Sequence, residues 1–343
     1  MDAKRAAILG FLALTLSGWT TQPKAAPRQA KTAVVDVDPM TRVSVDERGC
    51  QLGQAGSDPL GVYRSDPWTK GEVVLTFDDG PHPYATPKVL DLLAKHGFSA
   101  TFFVVGHAIN DKTFRSIKRM VAEGHTIGSH SYNHDVDMGF RDYGERSVEY
   151  IRGQHEITRI LIDLSLLADS ESEFDTLFTR VFAKKTWVYL SGRALRDEWP
   201  VFAERHHALL KARGYAGTAR PYQVKYSRPP GGGPYLGSSG SLKRPYGAAL
   251  ASAGLFNVMW HGESGDANAT RRGDRSFLEN NLAYYSRRGG ILLIHDQIRQ
   301  DSLAAGLARM AADPQVRVVP LEHAVRQKFG CGVDELPLSP VGP

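Results

Sequence analysis

The chain has 343 residues, 42% of them hydrophobic and 23% charged, with a formal net charge of +5. That length carries one large core or two smaller ones, and a single α/β barrel of roughly 250 residues also fits. The positive balance favours an anionic polymer or surface, yet acidic residues are interspersed and no basic stripe with stacking aromatics occurs, which argues against a nucleic-acid partner.

Lys4 and Arg5 precede an apolar run from Ala6 to Gly18, and Ala25 and Ala26 stand before Pro27. This is the pattern of a secretory signal peptide over 1–26, too short to span a bilayer. The expectation is an exported protein of the periplasm, cell envelope or extracellular space, with no stable membrane span after signal removal. Residues 27–71 are rich in Pro, Gln, Thr, Ser and Asp with little periodicity, and read as an N-terminal arm or linker. Cys50 and Cys331 are the only cysteines. A disulfide between them would close a long loop, worth roughly 4 to 5 kcal/mol in the chain-entropy model; the alternative is two unpaired buried thiols.

A catalytic region is expected over 72–331, followed by a tail, 332–343. Val73 to Phe77 is an apolar run ending in Asp78, Asp79 and a Gly80-Pro81 turn, which predicts a buried strand delivering two carboxylates to a sheet's C-terminal edge. Thr86 is placed as the N-cap and Pro87 as the first residue of a helix whose face is Val89, Leu90, Leu92 and Leu93, stopped by Gly97. Ser99 to Val105 predicts a strand, and Phe114, Ile117, Met120 and Val121 a helix ending at Gly124. Thr126 to Ser129 is a short strand that ends where His130 begins, with His134 in a loop or first turn.

An insertion is predicted near 145–222, where Ile157, Ile160, Leu161 and Leu164 form one helical stripe and Leu177, Phe178, Val181 and Phe182 another. It reads as a helical covering of the barrel, or as a lid or wall shaping access. Pro229 to Pro245 reads as a long loop at the active face. Further strands are predicted at Leu255–Trp260, Ile291–Ile294 and Val316–Val319, with helices at Leu303–Met310 and Glu322–Phe329. Alternating β and α segments give an α/β class with a parallel sheet or barrel, whose right-handed crossovers bring every strand's C-terminal end to one face.

A divalent cation held there by Asp79 and the two imidazoles would lower the pKa of a water beside it and leave Asp78 free to take the proton. Two histidines and one carboxylate make the ligand set of an open catalytic zinc site. Five motifs in order then resemble the polysaccharide deacetylases, the NodB-homology group also called carbohydrate esterase family four. They are Thr76-Phe77-Asp78-Asp79-Gly80-Pro81, His130-x-x-x-His134, Ser227-Arg228-Pro229-Pro230, Trp260-x-x-Glu263-x-x-Asp266 and Leu293-x-His295. The first two fit that family without departure. The resemblance implies a distorted (β/α) barrel and a metal, usually Zn²⁺ with Co²⁺ or Ni²⁺ as alternatives, on Asp79, His130 and His134.

It further implies Asp78 as general base, Arg228 as the residue that orients it, and His295 as general acid. Asp266 would pair with His295, with His261, Glu263 and Asp296 as alternatives. Leu293 would line the acetyl-methyl pocket and Trp260 would belong to the substrate groove. Gly231, where the family usually has an aromatic residue, keeps the backbone N–H that can hold an oxyanion. The activity implied is N-deacetylation of amino sugars in a polysaccharide, with peptidoglycan favoured and chitin or an exopolysaccharide as alternatives. An O-deacetylase acting on acetylated xylan and a catalytically idle glycan-binding module are the rival readings. The oligomeric state is not legible in the sequence.

Overall fold

The structure is a computed structural model that describes residues 33–34, 44–45, 68–138, 146–184, 187–236 and 240–336. The segment expected to be a signal peptide, most of the expected N-terminal arm, Cys50 and residues beyond 336 lie outside the described residues. Cys331 is half of a disulfide; the sequence holds one other cysteine, Cys50. Among the described residues no helix is long and apolar enough to cross a membrane.

The fold rests on an eight-stranded parallel sheet: β1 (Glu72–Asp78), β2 (Thr101–Val104), β3 (Thr126–Ser129), β4 (Tyr226–Ser227), β5 (Phe256–Asn257), β6 (Gly262–Glu263), β7 (Gly290–His295) and β8 (Arg317–Val318). The spatial order is β5-β4-β3-β2-β1-β7-β6, and β8 pairs with the first residues of β1. The terminal strands of that order, β5 and β6, are joined only by residues 258–261. Five Cα–Cα steps reach at most about 19 Å, whereas a flat sheet of this order would hold its edges about 29 Å apart at roughly 4.8 Å per strand. The sheet must therefore curl towards closure, and the α/β barrel expected from the strand–helix alternation is what forms.

Crossover helices connect the strands: α1 (Ala85–His96), α2 (Phe114–Ala122), α3 (Arg146–Leu167), α4 (Glu171–Phe182), α5 (Trp199–Ala212), α6 (Gly240–Ser252), α7 (Arg275–Arg288) and α8 (Gln300–Ala312); α9 (Leu321–Phe329) follows the last strand. Period-two alternation sorts the strand side chains. In β1, Val73, Leu75 and Phe77 pack outward with the helices, while Val74 joins Phe103, Tyr226, Phe256 and Ile291 in an inner cluster closed by Leu321, Val325 and Phe329 of α9. Thr76 and Asp78 share Val74's parity, so the inner wall of β1 is apolar at its base and polar at its mouth. The same parity in β7 runs Ile291, Leu293, His295. The first residues of the predicted tail also pack, since Val333 and Leu336 enter the inner cluster.

Three local expectations are corrected. Thr86 is not an N-cap: α1 starts at Ala85 and Tyr84 stands before it without a side-chain cap bond. The Thr86 hydroxyl is buried and spent on Asp296 and the His82 amide. The strand expected over Leu255–Trp260 shrinks to two residues, because the carbonyls of Val258 and Met259 turn to Arg228 instead of a neighbouring strand. Within the Gly/Pro-rich stretch 229–245, a helix already begins at Gly240, ahead of the apolar positions Tyr246, Ala249 and Leu250 that would mark it in the sequence.

Candidate active site

The end of β1 sets the geometry. Asp78 is buried inside the barrel mouth, and the next residue, Asp79, adopts φ +73°, the left-handed region that a non-glycine residue rarely enters. Ser131 and His134 do the same at φ +66° and +55°. Such conformations cost on the order of 1–3 kcal/mol each and persist where surrounding contacts over-determine them. Gly80 is required by close approach, because a Cβ there would lie 2.6 Å from Asp296 Oδ2. That carboxylate accepts from the His82 amide at 3.1 Å and from the Thr86 hydroxyl, which pins the Asp79-Gly80-Pro81 turn to the end of β7. Asp296 thus faces away from His295. Burial raises its pKa, against the lowering effect of those two hydrogen bonds.

His130 follows β3, and its Nδ1 lies 2.8 Å from the Arg228 carbonyl. A carbonyl only accepts, so Nδ1 carries the hydrogen and the Nε2 lone pair is presented to Asp79 Oδ1 at 3.4 Å. His134 Nε2 lies 3.0 Å from the same oxygen. Neither approach makes a well-directed hydrogen bond, and Asp79 Oδ1 is a buried acceptor with no donor among the described residues. Donor atoms of Asp79, His130 and His134 all fall within 4.8 Å of one another. Three converging electron pairs around an unsatisfied carboxylate oxygen fit a divalent cation with mixed nitrogen and oxygen ligands. Burial works against ionisation of Asp79, but the two imidazoles outweigh it and hold the carboxyl far below the usual range. Burial likewise lowers His134, and its contact with Asp79 reverses the sign, leaving it raised.

The Arg228 side chain is fully buried beneath this cluster. Nη1 donates to Asp78 Oδ1 at 2.7 Å and to Thr76 Oγ1 at 2.8 Å, while Nε and Nη2 donate to the carbonyls of Val258 and Met259. The guanidinium lies 4.2 Å from the Phe103 ring and 5.6 Å from Trp260. Burial pushes its pKa down and the charge and hydrogen bond of Asp78 push it back. The result is a carboxylate fixed in one rotamer, with Oδ2 3.7 Å from His130 Nε2.

Across the mouth, His295 Nδ1 meets Asp266 Oδ1 at 2.9 Å, and its backbone N–H donates to Asp266 Oδ2 at 2.8 Å. Asp266 is therefore the carboxylate partner among the alternatives. Glu263 is exposed, and His261 uses Nδ1 to accept the Ile291 amide at 3.0 Å. His295 Nε2 remains directed at the cluster, 3.9 Å from Asp79 Oδ2. Burial disfavours the charged ring, yet Asp266, with Asp78 and Asp79 behind it, raises the His295 pKa to about 9. Leu293, 5% exposed, belongs to neither apolar cluster. Gly231 is exposed at φ +61° with Val136 3.7 Å from where its Cβ would stand, and Trp260 is half-buried beside Gly232.

Sequence reasoning missed the support from α3. Gln154 Oε1 accepts the amides of Tyr132 and Asn133, and its Nε2 donates to Asn133 Oδ1, so one side chain grips the loop between His130 and His134. His155 lies 2.8 Å from Ser129 Oγ through Nδ1. The available signal was two polar residues, Gln154 and His155, interrupting a face otherwise made of Ile151, Ile157, Ile160 and Leu161.

The site is a carboxylate–imidazole cluster at the C-terminal mouth of a parallel sheet curled into a barrel. Residues 65–162 match the polysaccharide deacetylase family and bear out, over that segment, the resemblance carried by the motifs. The chain is 43% identical over 94 residues to a peptidoglycan-N-acetylglucosamine deacetylase of Bacillus cereus, covering 27% of this chain and 34% of that protein. It is 53% identical over 77 residues to a chitooligosaccharide deacetylase of Sinorhizobium fredii, covering 22% of this chain and 35% of the relative. These matches span about a third of each relative's length. Among solved structures, the peptidoglycan deacetylase PdaC of Bacillus subtilis superimposes with a TM-score of 0.48 at 20% identity, over 76% of this chain and 92% of that one.

Proposed function

We propose that the protein is an exported, metal-dependent N-deacetylase that removes acetyl groups from amino sugars of a polysaccharide, most directly peptidoglycan. The observation that carries the reading is the convergence of Asp79, His130 and His134 beside the buried Asp78, with His295 facing them across the mouth. The names of the relatives support the reaction class, and the one named from Bacillus cereus is a peptidoglycan-N-acetylglucosamine deacetylase.

Asp79, His130 and His134 would hold the cation, for which zinc suits the two nitrogen ligands, with cobalt or nickel as alternatives. When bound, that cation lowers the pKa of water and polarises an amide carbonyl. Asp78 takes the proton of the attacking water, and Arg228 keeps its carboxylate at one angle during the transfer. The Gly231 N–H is available to the developing oxyanion, and Leu293 offers an apolar wall to the acetyl methyl. His295, charged through Asp266, donates its Nε2 proton to the departing amine, which cannot leave as an anion.

The test is mass spectrometry of purified muropeptides, chitin oligomers and acetylated xylan after incubation with the full chain, with and without chelator. Loss of an acetyl mass from muropeptides that chelator abolishes is the expected result. Deacetylation of chitin oligomers or xylan alone would reassign the polymer, and turnover undiminished by chelation would remove the metal from the reading.

A further inference from the structure

Beside the cluster, a cavity of about 550 Å³ is lined by Asp79, Asp266, His295, Gln297, Arg272 and Arg299, among others. A space of this size accepts a sugar ring with a substituent. Its acidic walls are engaged: Asp79 faces His130 and His134, and Asp266 holds His295 and accepts from Ser264. Arg299 is also engaged, paired through Nε and Nη2 with both oxygens of Asp301. Arg272 is different. Its guanidinium makes no ion pair or hydrogen bond with any described residue, although its backbone N–H is tied to the Asn268 carbonyl at 2.8 Å.

The neighbour Arg271 shows what a structural arginine does in this loop. Its guanidinium lies 4.3 Å from the Phe277 ring and 3.3 Å from Asp274, within the loop's own framework. Asn268 Oδ1 accepts from the amides of Thr270 and Arg271, which fixes the turn that carries both arginines. The loop thus spends one cation on its own shape and leaves the next beside a cavity that opens onto His295. An unpaired guanidinium with five N–H donors matches a carboxylate better than a neutral hydroxyl.

We propose that Arg272 recognises a carboxylate carried by the substrate within about one sugar of the scissile acetamide, so the preferred substrates are acidic N-acetylated glycans. This deepens the deacetylase reading and rests on it. Two glycan chemistries supply such a group: a lactyl ether on the amino sugar itself, or a uronic acid in the neighbouring unit.

The experiment uses the full chain and three oligomers of equal length: neutral N-acetylglucosamine units, the same alternating with lactyl-ether units, and the same alternating with uronic acid. Acetate release gives kcat/KM, and calorimetry on chelator-stripped protein gives Kd. The wild type should favour at least one acidic oligomer over the neutral one by about tenfold or more, the worth of one charge-assisted hydrogen bond. Arg272→Ala should bring that ratio close to one, and Arg272→Lys should retain part of it. Arg272 is exposed, so neither change threatens folding. The acidic oligomer that is favoured identifies the carboxylate's source. No preference in the wild type, or a preference that Arg272→Ala leaves intact, overturns the proposal. Should no oligomer release acetate, the deacetylase reading falls by itself, and the Kd ratio of acidic to neutral oligomer, with and without Arg272, still decides the carboxylate site.

Discussion

Arg228 and Asp78 form a fully buried ion pair, Nη1 to Oδ1 at 2.7 Å, joining the loop after β4 to the end of β1 across the barrel interior. Leaving one member of such a pair without the other costs about 3–5 kcal/mol. Arg228→Met is therefore expected to lower the denaturant midpoint sharply and to abolish turnover, because an unpaired Asp78 both destabilises the barrel and loses its aim. Chemical unfolding followed by circular dichroism, with acetate release on the same preparation, checks this. A variant of unchanged stability would show that the pair is dispensable.

Asp78 and His134 separate chemistry from metal binding. Asp78→Asn should keep one equivalent of metal per chain while acetate release falls by roughly 10²–10⁴-fold, the usual worth of a general base. His134→Ala should lose both metal and turnover. Metal content by atomic absorption, read beside the rate, distinguishes the two. Near wild-type turnover in Asp78→Asn would place the base elsewhere.

His295 supplies a pH signature. Its pKa is raised to about 9, so the protonated acid is fully present below neutrality and is lost as pH rises through that value. Removing the Asp266 carboxylate removes the largest raising influence, so Asp266→Asn should shift the alkaline limb of the kcat profile to lower pH. The rate at alkaline pH should fall more than the rate near pH 6. An alkaline limb that does not move would detach Asp266 from His295 function.

His155 predicts an acid weakness. Burial lowers its pKa to about 3 from an ordinary value of 6.5, with Arg159 and His130 adding to the effect. A histidine depressed in the folded state is protonated first in the unfolded chain, so stability is lost as pH falls from about 6.5 towards 3, at up to roughly 1.4 kcal/mol per pH unit. His155→Gln should flatten that slope in acid-unfolding curves. A slope identical to the wild type would place the sensitivity on other groups.

A bound cation would stabilise the folded chain in proportion to its concentration over Kd. Chelation should lower the thermal midpoint of the wild type but leave that of His134→Ala unchanged, as scanning calorimetry would show. Equal shifts in both proteins would mean that the stabilising ion sits elsewhere.

The residues at strand ends were legible because their positions follow from local rules. An apolar run that stops at Asp78 and Asp79, and a short strand that ends where His130 begins, place those groups at a barrel mouth without knowledge of the rest. What escaped depends on distant partners. Thr86 has the composition of a cap, but Asp296, far along the chain, takes its hydroxyl. Val258 and Met259 read as strand until Arg228 claims their carbonyls. Gln154 and His155 sit inside an apolar helical stripe, and nothing local says that their targets are Tyr132, Asn133 and Ser129. The choice of Asp266 over Glu263 and Asp296 likewise needed the approach of β6 to β7.

The grip of Gln154 on the backbone at Tyr132 and Asn133 changes what the long middle segment means for anyone who would shorten this chain. Its first helix belongs to the cradle of the histidine loop, so a deletion begun ahead of Arg146 would release that loop even with every reactive group retained. A compact variant has to keep the helix through Leu167 and take its cuts further along.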